Sequence, residues 1–164
     1  MADLNFHSMS TAEILKCHVD LMEELRNRDI LRSANNPTGD LAEYLFCRAF
    51  GWEQAANSKA GYDATDDAGI RYQIKGRRVH RRNSSRQLSA LRKLTANPFD
   101  VLAAVLFDDD YNVTRAALIP HQFVASQARY REHTNSHLFL LRDTVWNEKT
   151  VIDVTSELQK VILS

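Results

Sequence analysis

A chain of 164 residues, 44% hydrophobic and 26% charged, has the make-up of one globular domain with a sizeable core, not of a disordered or low-complexity segment. Its 21 basic and 21 acidic residues cancel, so net charge alone names no partner. Two cysteines, Cys17 and Cys47, are too few and too far apart for a disulfide framework or a cysteine metal knuckle. No run approaches the roughly 20 apolar residues of a membrane span. The opening Met1-Ala-Asp-Leu-Asn-Phe6 lacks the basic start and apolar run of a signal peptide. A cytoplasmic protein that does not enter membranes, with reduced thiols, is expected.

Ser10-Thr-Ala-Glu13 is a capping-box pattern and predicts a helix from that point. Leu15, Val19 and Met22, joined by Ile14 and Leu25, recur at helical spacing to about Leu31, with Glu23, Glu24, Arg26 and Arg28 on or near the outer side. Asn35-Asn36-Pro37 breaks that helix. A second is predicted from Thr38 to a stop at Gly51, with Leu41, Leu45 and Ala49 in one apolar row and Ala42, Phe46 and Phe50 in the next. Gly61, Asp66-Asp67 and Gly69 punctuate a hairpin running to Arg78. The residues from Val79 to Asn97 are polar and basic, with room for a helical turn between Leu88 and Leu94.

Phe99 to Phe107 is an almost unbroken apolar run, as in a strand buried on both faces. Asp108 to Asn112 reads as a turn and Val113 to Ile119 as the returning strand. Pro120 opens a helix to about Arg129. Leu138 to Leu141 reads as a short strand, and Asp153 to Ile162 as a closing helix with Val154, Leu158, Val161 and Ile162 at helical spacing. No repeat or linker interrupts residues 1–164, which read as a single domain. The order predicts an α/β sandwich: a central mixed β-sheet flanked by helices, with an extra helix at the N-terminus. The portion from 113 to 141 should cross over right-handedly if its strands are parallel.

Charge is unevenly placed. Nine of the 21 basic residues lie between Arg71 and Lys93, where there is no Asp or Glu, and the rest of the chain sums to −9. One segment is therefore either a phosphate-contacting patch on an acidic body or a solvated basic loop. Alternation along the second hairpin arm sends Ile70, Tyr72 and Ile74 to one face and Arg71, Gln73, Lys75 and Arg77 to the other. Gln73 and Lys75 thus stand side by side, with Asp63 on the first arm. A carboxylate, a second oxygen donor and a lysine on one sheet face can hold a divalent metal beside a phosphate. Taken singly, Asp63 is a turn-capping residue at the start of the hairpin and Lys75 a solvated strand lysine.

Asp63, a nine-residue spacer and Gln73-Ile-Lys75 resemble the signature of the PD-(D/E)xK nucleases, the superfamily of restriction-endonuclease-like folds. Tyr62 stands where that signature has proline, and Gln73 where it has Asp or Glu; the Gln-x-Lys form is similar to that of Mrr-like nucleases. The predicted elements from 38 to 141 resemble the αβββαβ core of the superfamily. The resemblance implies an Mg²⁺-dependent (or Mn²⁺-dependent) DNA endonuclease in restriction, defence or repair. Asp63, Gln73 and the backbone carbonyl of Ile74 would be metal ligands and Lys75 the residue that orients the attacking water. Glu43 on the preceding helix has a counterpart in many such enzymes. Read from its own surroundings, Glu43 is either a paired or metal-linked carboxylate facing the sheet or a first-turns glutamate reaching to water.

Arg71, Arg77, Arg78, Arg81, Arg82 and Arg86, with Ser85 and Gln87, are candidate DNA contacts. Asp66 and Asp67 read as turn residues, Arg92 and Lys93 as a solvated helix face, and Trp146 as core. His121, Arg129, Arg131 and Thr134 to His137 form a further polar cluster, either loop-forming or, if the helix before it faces DNA, base-reading. Cutting both strands with one site per chain implies a homodimer. A structure-selective junction or flap nuclease, and a non-catalytic nucleic-acid-binding module on a degenerate nuclease core, are the competing expectations.

Overall fold

The computed structural model describes residues 5–56 and 61–161. The first long helix, α1 (Thr11–Asn27), starts as its capping box requires: Glu13 N–H donates to Ser10 Oγ at 3.3 Å and Ser10 N–H to Glu13 Oε2 at 2.7 Å. It stops short of Leu31. Asp29 adopts a φ of 57° and turns the chain, and Ile30 and Leu31 enter the core. The apolar stripe expected on α1 is largely uncovered. Ile14, Leu15 and Val19 are exposed, and of the stripe only Met22 and Leu25 pack against the core among the described residues. Helical spacing defines a face but not what covers it, and only the C-terminal end of α1 reaches the rest of the molecule.

The second helix, α2 (Thr38–Phe50), ends at Gly51, whose φ of 68° suits a residue without a side chain. Leu41, Ala42, Leu45 and Phe46 form its buried face. Then come β1 (Glu53–Gln54), β2 (Ala64–Thr65) and β3 (Arg71–Arg78), followed by β4 (Val101–Phe107), β5 (Val113–Pro120) and a short α3 (His121–Gln127). The chain closes with β6 (Arg129–Arg131), β7 (Ser136–Leu138), β8 (Ile152–Asp153) and α4 (Thr155–Gln159). A six-stranded mixed sheet has the order β1-β2-β3-β4-β5-β8, in which only β3 and β4 run parallel.

Each face of the sheet carries a layer. Tyr72, Ile74, Ala103, Val105 and Phe107 pack with α2, α4, Ile30 and Leu31. Leu102, Ala104, Leu106, Ala117 and Ile119 lie under Leu88, Leu91, Leu94, Phe99, Phe139 and Leu141. β4 is therefore buried on both faces, as its run of apolar residues predicts. The basic segment after β3 is no free loop. Leu88, Leu91 and Leu94 anchor it, and its helical turn is a 3₁₀ turn at Leu94–Ala96, at the far edge of the expected span.

The expected crossover between 113 and 141 does not form. After seven residues of α3, Arg129–Arg131 turns back to pair antiparallel with Ser136–Leu138 in a separate two-stranded ribbon. The parallel neighbours are instead β3 and β4, joined by the residues from 79 to 100. The closing helix is shorter than expected because Ile152–Asp153 is taken up as an edge strand beside β5; Val154 and Leu158 are buried, and Ile162 falls outside the described residues. Among the described residues no helix is long and apolar enough to cross a membrane.

Candidate active site

The hairpin arms are unequal. β2 pairs only Ala64 with Tyr72 and Thr65 with Arg71. Asp66 holds the turn between the arms, accepting from the N–H groups of Ala68 and Ile70 and from the hydroxyl of Tyr72 at 2.9–3.0 Å, as a turn residue should. The other end of β2 is where the chemistry gathers. Asp63 N–H donates to the Tyr72 carbonyl at 2.7 Å, and the Asp63 carbonyl accepts from Ala55 N–H at 2.8 Å. Beyond this point the side chain of Asp63 replaces the missing strand. Its Oδ2 accepts from Ile74 N–H at 2.6 Å and from the Gln73 side-chain amide.

Two consequences follow from that anchoring. With its amide nitrogen committed to Asp63, Gln73 has its carbonyl oxygen left to offer. The N–H and C=O of one strand residue point to the same side, so the Ile74 carbonyl shares the edge at which Asp63 sits. Lys75 stands two residues on, on the face of Gln73, and makes no side-chain hydrogen bond or ion pair among the described residues. Its positive charge is nonetheless felt at Asp63.

Glu43 arrives from α2. Its Oε2 accepts from the Gln54 side-chain amide on β1 at 2.6 Å. A cleft of about 300 Å³ opens between α2 and the β1–β2 edge, lined by Arg32, Asp40, Glu43, Ala55, Tyr62 and Asp63. Asp40 is occupied there as a structural anchor, accepting from the N–H groups of Arg32 and Ser33 and from the Ser33 hydroxyl at 2.8–2.9 Å. Glu43 and Asp63 are both half-buried. Burial pushes Glu43 above its ordinary value, the negative charge of Asp63 pushes it further, and Gln54 only partly opposes them. Burial likewise raises Asp63, against the Ile74 N–H, the Lys75 charge and the Gln73 amide. The thiol of Cys47 is pushed up to about 11, first by burial and then by Glu43, so it is a neutral packing group.

Two half-buried carboxylates facing one cleft that Arg32 also lines, with Gln73 and Ile74 of β3 bonded to Asp63, fit a hard cation that keeps part of its water, such as Mg²⁺ or Mn²⁺. Among the described residues no group of three or more His, Cys, Asp or Glu could hold a metal ion, so the neutral oxygens of Gln73 and Ile74 and bound water would have to complete the set. The sequence does not reveal Gln54, Arg32 or Asp40 as members of the site; for Gln54, a two-residue strand carries no period to mark its facing.

The basic residues divide into two groups. Arg71 is held bidentately by Asp100 at 2.8 and 3.0 Å, and its N–H donates to the same carboxylate. Arg78 donates to the backbone and side chain of Asp109 and lies 4.7 Å over the Tyr111 ring. Arg86 pairs with Asp143 at 2.7 Å. These three are neutralised within the fold. Arg81 reaches Asp109 at 3.3 Å, but its side chain is 86% exposed, so that pair is weak. Arg77 donates to the Ser85 carbonyl at 2.8 Å, and the Ser85 hydroxyl accepts from Gln87 N–H at 3.2 Å. Arg77 and Arg82 are free of carboxylate partners among the described residues. Trp146 is a half-buried platform for Arg115, whose guanidinium lies 3.8 Å from its ring. No family model matches the chain, and no curated protein sequence matches it.

Proposed function

We propose that this chain is an Mg²⁺-dependent DNA endonuclease built on a restriction-endonuclease-like core. One observation supports this reading above the others. Asp63 is bonded to Gln73 and Ile74 of β3 and feels the charge of Lys75, and α2 brings Glu43, twenty residues earlier, into the cleft that Asp63 lines. Asp63 and Gln73 would hold the cation, with the Ile74 carbonyl and Glu43 completing the protein donors. Bound there, Mg²⁺ supplies an activated water and offsets phosphate charge. Lys75 extends from the strand face of Gln73 with its ammonium unpaired among the described residues, where it would orient the attacking water and steady the charge that develops on the phosphate. Arg77 and Arg82 would contact the backbone on either side. Two copies, one site each, would cut both strands.

A second reading, a nucleic-acid-binding module on a degenerate nuclease core, is favoured by the sparse donor set and by the engagement of Asp63 with Ile74 and Gln73. Plasmid incubation with Mg²⁺, Mn²⁺ or EDTA separates the two. The endonuclease reading expects cleavage in either metal, none in EDTA, and none from folded Asp63→Ala or Lys75→Ala variants. Salt-dependent DNA binding without cleavage in either metal would select the binding module. Cleavage that survives EDTA or both substitutions would refute the site.

A further inference from the structure

The β6–β7 ribbon presents an arginine cleft that the candidate active site does not use. β6 alternates, so Arg129 and Arg131 share one face and Tyr130 takes the other, where its ring meets that of His137 at 5.1 Å. Leu138, paired with Arg129 in the ribbon, lies on the arginine side. Across from them stands Arg142, fixed at the start of a 3₁₀ turn where its carbonyl accepts from Val145 N–H at 3.0 Å. Arg129, Arg131 and Arg142 line one open cleft floored by Phe139 and Val145, and among the described residues no carboxylate lines it. The fold neutralises Arg71, Arg78, Arg86 and Arg115 with Asp partners. The three arginines here have no side-chain partner among the described residues. The nearest acid in sequence to Arg142 is Asp143, already shared by Arg86 and Arg115.

We infer that this cleft binds the phosphodiester backbone of a nucleic-acid strand, as a second contact region beyond the candidate active site. Three observations choose a strand over a small anion. The charges extend along the ribbon, with Arg129 and Arg131 about 6.8 Å apart, as well as across the cleft to Arg142, and do not sit at one position. The floor is apolar, suited to sugar and base faces. The cleft is also tied to the active-site strand through the chain: Gln87, which lines it, lies two residues after Ser85, whose carbonyl holds Arg77, and Arg77 is the next residue on the face of Lys75. The inference rests on the nucleic-acid part of the proposed function and not on catalysis.

The test is fluorescence anisotropy with a labelled single-stranded oligonucleotide and its duplex, in EDTA, across a KCl series. The chain is compared with Arg129→Gln, Arg131→Gln, Arg142→Gln and the triple variant, each checked for an unchanged melting temperature. The triple variant should bind at least about tenfold more weakly at moderate salt, and the slope of log K against log salt should shrink by about 2–3 units. Each single variant should remove roughly one unit. An unchanged slope in the folded triple variant overturns the inference while leaving the nuclease reading intact. A reduced slope in a protein that cleaves no DNA sustains it and sinks the nuclease reading instead. Inorganic phosphate that binds the wild-type chain, with no oligonucleotide effect in the variants, overturns it, as does a wild-type chain that binds neither oligonucleotide.

Discussion

Gly76 is the position on β3 where one methyl group tests how the candidate site is assembled. It faces the start of α2, and a Cβ built on it would lie 2.7 Å from the Thr38 carbonyl oxygen, 2.9 Å from Ala42 Cβ and 3.2 Å from Phe107 Cε2. Comfortable carbon contacts begin at about 3.5 Å, so helix and strand would have to part by something under about 1 Å. The nearest atoms are backbone and Cβ of a helix also fixed by Leu41, Leu45 and Phe46, and no side-chain rotation relieves them. Overpacking of this kind costs about 1–3 kcal/mol. At about 2–4 °C per kcal/mol for a chain of this size, Gly76→Ala should melt about 2–12 °C below the wild type. Gly39, in the first turn of the same helix, has nothing within 4 Å of its built Cβ, so Gly39→Ala should gain about 0.5–1 kcal/mol. Thermal unfolding followed by circular dichroism measures both. A Gly76→Ala protein as stable as the wild type would refute the close approach of α2 to β3, and with it the placing of Glu43, which follows Ala42 on that helix.

Glu43 sits above its ordinary value of 4.5 through burial and the repulsion of Asp63. A raised carboxylate contributes stability that is present below the unfolded value and lost as pH rises through the folded one. Glu43→Gln should therefore match the wild type near pH 4 and melt higher at neutral pH in EDTA; a gap that is constant or reversed across that range would contradict the assigned surroundings. Gln73→Glu removes the amide that donates to Asp63 and adds a charge, so it should lower the melting temperature in EDTA and enlarge the rise on adding Mg²⁺. An Mg²⁺ effect equal to the wild type's would argue against Gln73 as a ligand. Arg71→Gln, which breaks a partly exposed pair with Asp100, should cost no more than about 1 kcal/mol and leave the salt dependence of DNA binding unchanged. Arg82→Gln should do the opposite, reducing the salt slope by roughly one unit at constant stability. Matching behaviour of the two variants would mean that the division into paired and free arginines is wrong.

Much of this arrangement can be read before folding, and the failures have physical causes. Tyr72 and Ile74 are buried while Gln73 and Lys75 are not, because an eight-residue strand has enough alternation to declare its faces. The run from Val101 to Phe107 declares burial on both sides just as plainly. The two-residue strands at Glu53–Gln54 and Ile152–Asp153 have no period to read, and Gln54 was invisible for that reason. α1 misleads in the other direction: its row of Leu15 and Val19 has the spacing of a core face but sits in solvent. The basic run from Arg71 to Lys93 gives charge without partners. Asp100, Asp109 and Asp143, which neutralise Arg71, Arg78 and Arg86, come from 29, 31 and 57 residues away, a pairing that only the tertiary fold supplies. Arg129 and Arg131 stand out in the sequence as part of a polar cluster, but their meeting with Arg142 across one cleft is supplied only by the ribbon and the turn that follows it.

The central claim is that the cleft between α2 and the β1–β2 edge takes a hard divalent cation through Asp63. Mn²⁺ titration followed by water-proton relaxation tests it without reference to any substrate, on the wild-type chain and on a folded Asp63→Ala variant. The account predicts one Mn²⁺ per chain with a dissociation constant on the order of 0.1–1 mM, as befits a site with few charged ligands, weakened at least about tenfold by the substitution and displaced by Mg²⁺. No Mn²⁺ binding by the wild type, or equal binding by Asp63→Ala, would contradict it.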